Sequence, residues 1–411
     1  MRRCFSIRGG SMPTISRAAR TGVRLTVRCG FVAAAILVAV SCGESSPTRP
    51  SPEEIASGKQ IFRFDTYGDE KFWTDTLHMN TVIQNNVDPT TALAVGLKVD
   101  ADTLPPAVLQ AIQAGQVDLH SPATTVLLLR LGAVVGVKAT VDSNNNITRL
   151  GITCALCHST VDNRIAPGIG SRLDGWPNRD LNPGAIIALS PALTAAQKAV
   201  YNSWGAGRYD PRFNFDGQNG PTVIPPAYGL AGIHSVTFTG DGQQVAYWNQ
   251  YVAVTQMHGL GSFAEPRLGI DIVQSPDSVA PKLPALQAYE LSLAAPAPPA
   301  GSFDAAAAAR GKQVFEGPGK CATCHAGATF TDANERLHEP SEIPTDPTYA
   351  LRSATKMWRT SPLRGVWQHP PYFHDGSAAT LLDVVNRYDS AKGLSLSDQQ
   401  KADLVQYLLS L

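Results

Sequence analysis

Two short repeated motifs restrict what this chain can fold into more than any other feature of its sequence. The strings Cys-Ala-Leu-Cys-His at 154–158 and Cys-Ala-Thr-Cys-His at 321–325 share the spacing C-x-x-C-H. This spacing sets two thiols one helical turn apart, where they can bond to the vinyl groups of haem, and the next histidine can reach the iron. A zinc site is the weaker interpretation, because three adjacent donors lack a second half to complete a tetrahedron. We therefore predict two covalently bound haem c groups, attached through Cys154, Cys157, Cys321 and Cys324, with His158 and His325 as proximal iron ligands.

The overall composition excludes some partners. The 34 Lys and Arg residues balance the 34 Asp and Glu residues, so the formal net charge is zero. A neutral chain gives no reason to expect nucleic acid or an acidic membrane surface as a partner. With 411 residues, of which 43% are hydrophobic and 17% charged, the chain has the composition of a globular protein and room for two domains.

The N-terminal segment 1–42 has the pattern of a bacterial secretory signal. Seven arginines precede the apolar run Phe31–Val40, and no acidic residue occurs before Glu44. That run is too short to span a bilayer and fits the apolar region of a signal peptide. The string Ala-Val-Ser-Cys at 39–42 resembles a lipoprotein cleavage site, although Ala39 stands where Leu is usual. We predict an exported, periplasm-facing or outer-membrane lipoprotein anchored through lipid on Cys42, with plain signal cleavage as the alternative.

The cysteine count agrees with export and haem attachment. Cys4 and Cys29 belong to the signal segment, Cys42 is the predicted anchor, and the other four of the 7 cysteines lie in the two motifs. No pair is left for a structural disulfide, although an oxidising compartment would permit one. Residues 43–52, rich in Ser and Pro, are predicted to form a flexible tether.

An internal repeat divides the rest of the chain into two haem domains. Gly-Lys-Gln-Ile-Phe at 58–62 matches Gly-Lys-Gln-Val-Phe at 311–315, and Tyr-Glu-Leu-Ser-Leu at 289–293 matches Tyr-Leu-Leu-Ser-Leu at 407–411. Each C-x-x-C-H motif lies between one copy of each string. Small c-type cytochromes cross an N-terminal helix containing Gly and Phe with a C-terminal helix containing an aromatic residue. We therefore predict a mainly α fold of two cytochrome c-like domains, haem domain 1 at 51–293 and haem domain 2 at 303–411, joined by a Pro/Ala linker at 294–302.

Haem domain 1 is the larger of the two because of an insertion at about 63–150. Two apolar stretches, Val126–Val141 and Ile147–Thr153, flank Asp-Ser-Asn-Asn-Asn at 142–146, which predicts a β-hairpin inside the insertion. The alternating Asp and Asn residues imitate the start of a calcium loop, but no Gly follows at the required place. A turn is the preferred interpretation.

The C-terminal 110 residues, approximately, resemble the bacterial di-haem cytochrome c peroxidases and the related methylamine-utilisation di-haem maturation enzymes. The strings that carry the resemblance, in order, are 321–332, Arg-Thr-Ser-Pro-Leu-Arg at 359–364, Pro-Pro-Tyr-Phe-His-Asp-Gly at 370–376, Thr380-Leu381 and the closing helix to Leu411. In haem domain 1 only 219–222 and 239–242 look like faint versions of family segments. The resemblance implies one electron-transfer haem and one haem at which peroxide reacts, and function must still be argued from each site.

For haem 2 the sixth iron ligand has two candidates. Tyr388 follows the 370–376 string on a predicted helix, where the resemblance implies Met in peroxidases and Tyr in maturation enzymes. A tyrosine ligand favours ferric iron, whereas Met357, the competing candidate, would raise the potential. Core packing is the alternative for both side chains. His374 is predicted to line the haem edge or bond a propionate, His369 to lie at the surface or pocket wall, and His338 to lie at the surface.

For haem 1 the resemblance implies a distal histidine soon after the motif, and none occurs between His158 and His234. His258 lies where the resemblance places an acid–base residue, and it is our candidate catalytic base for peroxide cleavage. The segment 168–179 is predicted to wrap haem, with Arg172 and Arg179 pairing propionates. The further candidates for a sixth ligand or distal base are His78, Met79, His120, His234 and Met257. A structural role is the preferred interpretation for these three histidines and the alternative for His258. Trp176, Trp248 and Trp367 are candidate electron bridges, with core packing as the alternative.

These patterns predict a di-haem oxidoreductase of the cell envelope, in which haem 2 passes electrons to a peroxidase-like haem 1. The alternative hypothesis is a non-enzymatic electron carrier with both irons six-coordinate, and a maturation-type enzyme is a third. The expected partners are a small redox protein or cytochrome as electron donor and peroxide or a related oxidant. The resemblance also implies one calcium ion, to which backbone carbonyls around Thr360 to Pro362 could contribute.

Overall fold

The computed structural model describes residues 49–411, so the predicted signal at 1–42, the anchor Cys42 and most of the tether at 43–52 lie outside the described residues. Pro50–Leu411 form one compact unit, within which we keep haem domain 1 and haem domain 2 as names for the two predicted stretches. The predicted fold class is confirmed, because the chain is mainly helical. Among the described residues no helix is both long and apolar enough to cross a membrane.

The helices and strands follow one another along the chain, and the longest stretches without an α-helix or strand lie between residues 223 and 245, 316 and 348, and 351 and 381. The α-helices are α1 (Pro52–Phe64), α2 (Met79–Asn86), α3 (Pro89–Ala94), α4 (Pro106–Gln113), α5 (Pro122–Arg130), α6 (Ala155–His158), α7 (Pro183–Ala188), α8 (Ala195–Asn202), α9 (Phe213–Asp216), α10 (Val245–Thr255), α11 (Leu283–Ser292), α12 (Ala305–Glu316), α13 (Thr348–Leu351), α14 (Leu381–Lys392) and α15 (Asp398–Leu409). The strands are β1 (Val99–Asp100), β2 (Val137–Val141), β3 (Ile147–Ile152), β4 (Ser159–Val161), β5 (Ile169–Gly170), β6 (Arg172–Asp174), β7 (Arg208–Tyr209), β8 (Thr222–Val223), β9 (Phe263–Glu265) and β10 (Ile270–Ile272).

The strands pair only two at a time in the described residues. β1 pairs with β5 in parallel, whereas β2 with β3, β4 with β6, β7 with β8 and β9 with β10 are antiparallel. Sheets this small add little burial of their own. They fix loops against the helices, and the helices supply most of the core.

The same helix crossing is built once in each haem domain. Ser51 caps α1 by accepting from the Glu54 amide, so the predicted tether ends there, and Asp304 caps α12 in the same way. α1 crosses α11 and α12 crosses α15, as the repeated strings predict. Each N-terminal helix buries its glycine and phenylalanine in the crossing. The repeat in the sequence is therefore a repeat in packing.

Glycine is required at both crossings by close backbone approach. A Cβ at Gly58 would overlap the Ala285 carbonyl of α11, and a Cβ at Gly311 would overlap the Asp403 carbonyl of α15. One turn further along, Phe62 meets Tyr289 edge-on with ring centroids 5.5 Å apart, and Phe315 meets Tyr407 at 5.2 Å.

The insertion in haem domain 1 supplies most of a separate apolar core, with members such as Leu128 and Leu150, and Ile169 from outside the insertion joins it. Leu156, from inside the first haem motif, packs in this core, so the insertion supports that motif from one side. The predicted hairpin is confirmed as β2 and β3, with the Asp142 carboxylate accepting from the amides of Asn144 and Asn146.

The predicted first hairpin strand was too long. Residues 126–130 are helical and belong to α5, and the strand begins only at Val137. The reason is that Gly132 and Gly136 both adopt positive φ angles, which turn the chain between helix and strand.

A buried ion-pair cluster joins the two haem domains. The Arg352 side chain of haem domain 2 is 4% exposed and contacts Asp210 at 3.0 Å and Asp216 at 2.7 Å, both from haem domain 1. It also donates to the backbone carbonyls of Gln218 and Gly220. Four oxygen-bearing groups therefore converge on one guanidinium, whose five donors suit such a site.

Replacing Gly311 with Ala is expected to destabilise the protein by about 2 kcal/mol, because the added methyl must displace the Asp403 backbone. Helix propensity alone predicts that Ala would instead stabilise the protein, by about 1 kcal/mol. Chemical denaturation measures the difference. The control is Gln313→Ala at an exposed position of the same helix, which should change little. A Gly311→Ala protein as stable as wild type would refute the close crossing.

Replacing Arg352 with Leu should cost about 3–5 kcal/mol, because it leaves the fully buried Asp210 without its counter-charge. The matched control is Arg149→Leu, which removes an ion pair with Asp75 whose side chains are about half exposed and which should cost less than about 1 kcal/mol. Equal losses in the two variants would contradict the role assigned to Arg352.

Candidate haem sites

The first motif is held by a short helix and a wrapping loop. Its last four residues form α6, and the loop that follows β6 returns to it: the Gly175 amide donates to the His158 carbonyl at 2.8 Å, and the Asn178 amide donates to the Cys157 carbonyl at 2.9 Å. The predicted wrapping segment at 168–179 therefore does contact the motif.

The second motif is a tight turn. Cys321–Thr323 form a 3-10 helix, and the His325 amide donates to the Cys321 carbonyl at 2.9 Å. This turn brings both thiols and the His325 ring to the same region of haem domain 2, beside the crossing of α12 and α15.

Both histidines have the same hydrogen-bonding arrangement. His158 Nδ1 lies 3.1 Å from the Pro225 carbonyl oxygen, and His325 Nδ1 lies 3.0 Å from the Phe330 carbonyl oxygen. A carbonyl can only accept, so Nδ1 carries the proton in both rings and Nε2 is left as a free base. Burial lowers the pKa of His158 to about 4 and lowers the pKa of His325 as well, so both rings are neutral. These are the tautomer and charge that an iron ligand needs.

A cavity of about 540 Å³ lies against the second motif, and its wall includes Cys321, Cys324 and His325. Its volume is in the range of cofactor sites, and most of the wall is apolar. The wall also includes Pro225, whose carbonyl bonds His158, and Tyr228. The cavity therefore extends from the second motif towards the support of the first, and the donors present fit haem c.

The candidate residues for haem 2 differ in whether they line this cavity. Tyr388, on α14, lines the cavity, and burial raises its pKa to about 12. Met357 is not part of the cavity wall. His374 is 6% exposed, lies in the wall, contacts the Trp358 ring with centroids 4.6 Å apart and bonds Thr345 through Nδ1. His369 also lines the cavity, in agreement with the pocket-wall alternative.

The surface position predicted for His338 is wrong. Its side chain is 1% exposed and lines the cavity, with Nε2 3.1 Å from the Asp332 carboxylate and 2.9 Å from the Thr360 hydroxyl. The charged neighbours Asp332 and Arg336 made this segment look like surface. In the tertiary structure Trp358 forms a backbone bridge with His338 and covers this segment.

Several buried polar residues beside the first motif were not found from the sequence. The Tyr67 side chain is 1% exposed, and its hydroxyl lies beside the Cys154 thiol. Burial raises the pKa of this thiol, and the nearby Glu290 carboxyl raises it further. Burial raises the pKa of Glu290 to about 8, although Asn249 donates to it at 2.7 Å. On the Cys157 side, the Tyr209 hydroxyl donates to the Gln256 side chain at 2.8 Å. These residues are far apart in the chain and share no motif, so no sequence pattern marks them.

The other candidates for haem 1 are scattered. His78, His120 and His234 are exposed, and Met79 and Met257 are buried in two different apolar cores. His258 follows α10 with a positive φ, and its ring is stacked on Phe72 with centroids 3.7 Å apart. Its predicted catalytic role stays a prediction, because no contact in the described residues joins it to the first motif.

The two predicted propionate arginines differ. Arg172 forms a buried ion pair with Asp100 at 2.9 Å and lies over the Phe64 ring, so its position gives no geometric support for a propionate role. Arg179 lines the cavity, donates to the His369 carbonyl and has Nε and Nη1 buried without a partner among the described residues.

The tryptophans also differ. The ring centroids of Trp176, from the wrapping loop, and Trp367, from haem domain 2, lie 6.0 Å apart, and Trp176 also contacts Tyr228. Trp248 is stacked on Tyr251 inside haem domain 1. Only the first two therefore meet across the domains.

The fold and the paired Cys-Cys-His motifs define a protein with a c-type cytochrome domain. Residues 308–411 match the family model described as cytochrome c. A curated relative, hydrazine synthase subunit gamma of Kuenenia stuttgartiensis, is 30% identical over 142 residues, which cover 25% of this chain and 40% of the relative. The chain thus spans well under half the length of that relative.

Solved structures are similar as well. The di-haem peroxidase BthA of Burkholderia thailandensis matches with 17% identity and a TM-score of 0.33, covering 76% of this chain and 89% of that chain. A MauG-like protein associated with microbial copper homeostasis matches with 20% identity and a TM-score of 0.33, covering 47% of this chain and 74% of that chain.

Glu290 should make stability depend on pH. Its folded pKa of about 8 lies above its ordinary value of 4.5, so the folded state keeps a proton that the unfolded chain loses, and wild-type stability falls as pH rises between these values. The Glu290→Gln variant has no titratable group at this position. Its free energy of unfolding should therefore rise by on the order of 3 kcal/mol relative to that of wild type between pH 4.5 and pH 8.

Unfolding curves across this pH range measure the Glu290 effect. The exposed Glu335→Gln serves as control and should follow wild type at every pH. A Glu290→Gln curve that runs parallel to wild type would mean that Glu290 is ionised in the folded protein.

Proposed function

We propose that this chain is a di-haem c-type oxidoreductase, in which haem 2 passes electrons to a peroxidase-like haem 1. The observation that carries the proposal is the repeated arrangement of two cysteines and one neutral histidine whose Nδ1 faces a carbonyl. That arrangement supports iron ligation in both domains. The cytochrome c match at 308–411 supports it for haem domain 2.

For haem 2 we propose Tyr388 as the sixth ligand. It lines the cavity that contains His325, whereas Met357 does not. Haem supplies one-electron chemistry when bound, and a tyrosine ligand favours the ferric state. Tyr388 would hold its hydroxyl towards a bound haem, and burial raises the pKa of Tyr388 to about 12, so this hydroxyl keeps its proton in the protein without iron.

For haem 1 we propose a site at which peroxide or a related oxidant can bind. Peroxide cleavage needs a group that takes a proton from one oxygen and returns it to the other. His258 is the candidate base from the sequence, and Glu290 is a second buried titratable group close to the first motif. Gln256 and Tyr209 can orient a bound molecule by hydrogen bonds, but a carboxamide cannot exchange protons at neutral pH.

For the electron route between the haems we propose Trp176 and Trp367. The two rings are in contact, and they come from the wrapping loop of the first motif and from haem domain 2. Tyr228, which contacts Trp176, also donates to the Gly365 carbonyl of haem domain 2 at 3.2 Å. The expected electron donor is a small redox protein or cytochrome.

The alternative is a non-enzymatic electron carrier with both irons six-coordinate. The exposure of His78, His120 and His234 removes three candidate bases for peroxide cleavage at haem 1, which favours this alternative, and it leaves the sixth ligand of haem 1 to another residue. Export, the lipid anchor on Cys42 and the calcium ion remain proposals from the sequence. The Thr360 carbonyl, one of the suggested calcium ligands, already accepts from Thr331 at 2.5 Å.

Low-temperature EPR of the holoprotein separates the two functions. The sample is measured fully oxidised and then reduced by one electron per two haems. We expect a high-spin ferric signal in the half-reduced sample, which means an exchangeable or open position on one iron. Low-spin signals alone in both samples would leave the electron carrier as the function. Mass spectrometry of the same sample should show two attached haem groups.

Replacing Tyr388 with Phe should convert ferric haem 2 to a high-spin spectrum and raise its midpoint potential, because the oxygen ligand is removed while the ring is kept. Met357→Leu is the control and should leave the spectrum unchanged, because this side chain does not line the cavity. The opposite pattern would identify Met357 as the ligand.

A further inference from the structure

Arginines with buried guanidinium nitrogens fall into two groups among residues 49–411. Arg172, Arg212 and Arg352 each form an ion pair with an aspartate, namely Asp100, Asp241 and Asp210. Arg179 and Arg359 have no carboxylate partner within ion-pair distance among residues 49–411. A buried cation without a counter-charge is strongly unfavourable, so the second group calls for an anion that the polypeptide does not supply.

The two unpaired arginines share one cavity. Arg179 comes from the wrapping loop of the first motif, and Arg359 comes from the strand-like segment beside Trp358 in haem domain 2, yet both line the cavity against Cys321, Cys324 and His325. Each makes one bond to a backbone carbonyl, Arg179 to His369 at 3.1 Å and Arg359 to Ser235 at 3.1 Å. Within the part of the chain that the structure describes, Nε of both side chains is buried without a hydrogen-bond partner, as is Nη1 of Arg179.

Burial also lowers the pKa of both guanidinium groups to about 10, and no acidic side chain opposes this at either one. Around Arg179, only the hydroxyls of Tyr228 and Tyr372 among the described residues counteract the lowering of its pKa, and these hydroxyls are neutral at ordinary pH. Both arginines thus have free N–H donors and positive charge that no carboxylate of residues 49–411 compensates, and both line the same cavity.

We propose that Arg179 and Arg359 bind the two propionate carboxylates of haem 2, one arginine from each haem domain. This inference rests on the proposed function only in requiring that haem 2 occupies the cavity. Arg359 was not among the sequence candidates. Arg179 lies on the loop whose Asn178 amide donates to the Cys157 carbonyl. The position of Arg179 is therefore tied to the first motif, while its charge acts on the second haem.

The consequence is a link between the two centres. A cation beside haem 2 stabilises the reduced iron, because reduction adds negative charge in a region of low dielectric constant. A shift of the wrapping loop at the first motif would therefore change the potential of haem 2. Arg179 and Arg359 are positioning residues in this proposal, and neither contacts a reacting oxidant.

The test is a spectroelectrochemical titration of holoprotein carrying Arg179→Met or Arg359→Met, without peroxide. Each variant should favour ferric haem 2 by on the order of tenfold, a potential lowered by about 59 mV for a one-electron couple. Arg179→Lys and Arg359→Lys keep the charge and should recover most of the shift. Arg267→Met removes an exposed arginine paired with Glu265 and should leave the potential unchanged.

Wild-type protein supplies a second measurement that does not depend on how the variants fold. The propionate bending band in its resonance Raman spectrum should shift on exchange into D2O, because the carboxylates accept from exchangeable N–H groups. An unchanged band together with unchanged potentials in the Met variants would overturn the proposal. Potentials that respond to added acetate in wild type would assign the arginines to a free carboxylate ligand instead and would also overturn it.

The outcome is independent of peroxide chemistry. Lowered potentials in a protein that never reacts with peroxide would retain the arginine assignment and reject the peroxidase-like function. Normal peroxide turnover with unchanged potentials would do the reverse.

Discussion

The contact between two helices at a glycine is the constraint on which the rest of this structure depends. Gly58 and Gly311 let α1 and α12 approach the carbonyls of α11 and α15 so closely that no side chain fits. Each crossing brings an aromatic pair together. In haem domain 2, Cys321 packs against the core that contains Phe315 and Tyr407, and in haem domain 1 Cys154 packs against the core that contains Phe62 and Tyr289. A cytochrome-like site in each domain thus follows from a backbone contact that only glycine permits.

The two domains also depend on each other, because the cavity at the second motif is not complete within haem domain 2. Pro225, Tyr228 and Arg179 of haem domain 1 help to line the cavity of the second motif. The Arg352 cluster holds the domains in this relation through a charge that is fully enclosed. An enclosed ion pair with saturated donors has few alternative arrangements, so it fixes geometry more than it adds stability. This rigidity is what a cavity shared between two domains requires.

The electrostatics of the two motifs support one chemical role for each ring. Carbonyl oxygens at Nδ1 and burial together keep His158 and His325 neutral with Nε2 free. Around them the polar residues differ: Glu290, Tyr67 and Gln256 near the first motif, against Tyr388, His338 and two unpaired arginines near the second. Similar attachment with different surroundings is the basis for proposing that the two haems do different work.

The sequence alone determined the helical class, the two crossings and the turn at 142–146, and it predicted the haem attachment residues and the proximal histidines, because each depends on residues close together in the chain or on a repeated string. It did not determine which distant side chains share a cavity. His338 has charged neighbours in sequence and Glu290 sits in an apolar helix, yet both are buried near a motif, and Arg359 lines the cavity without any sequence signal. Tyr388 could be separated from Met357 only by seeing which one reaches the cavity. These outcomes come from packing over long separations, which local spacing does not encode, so the tertiary structure alone decided them.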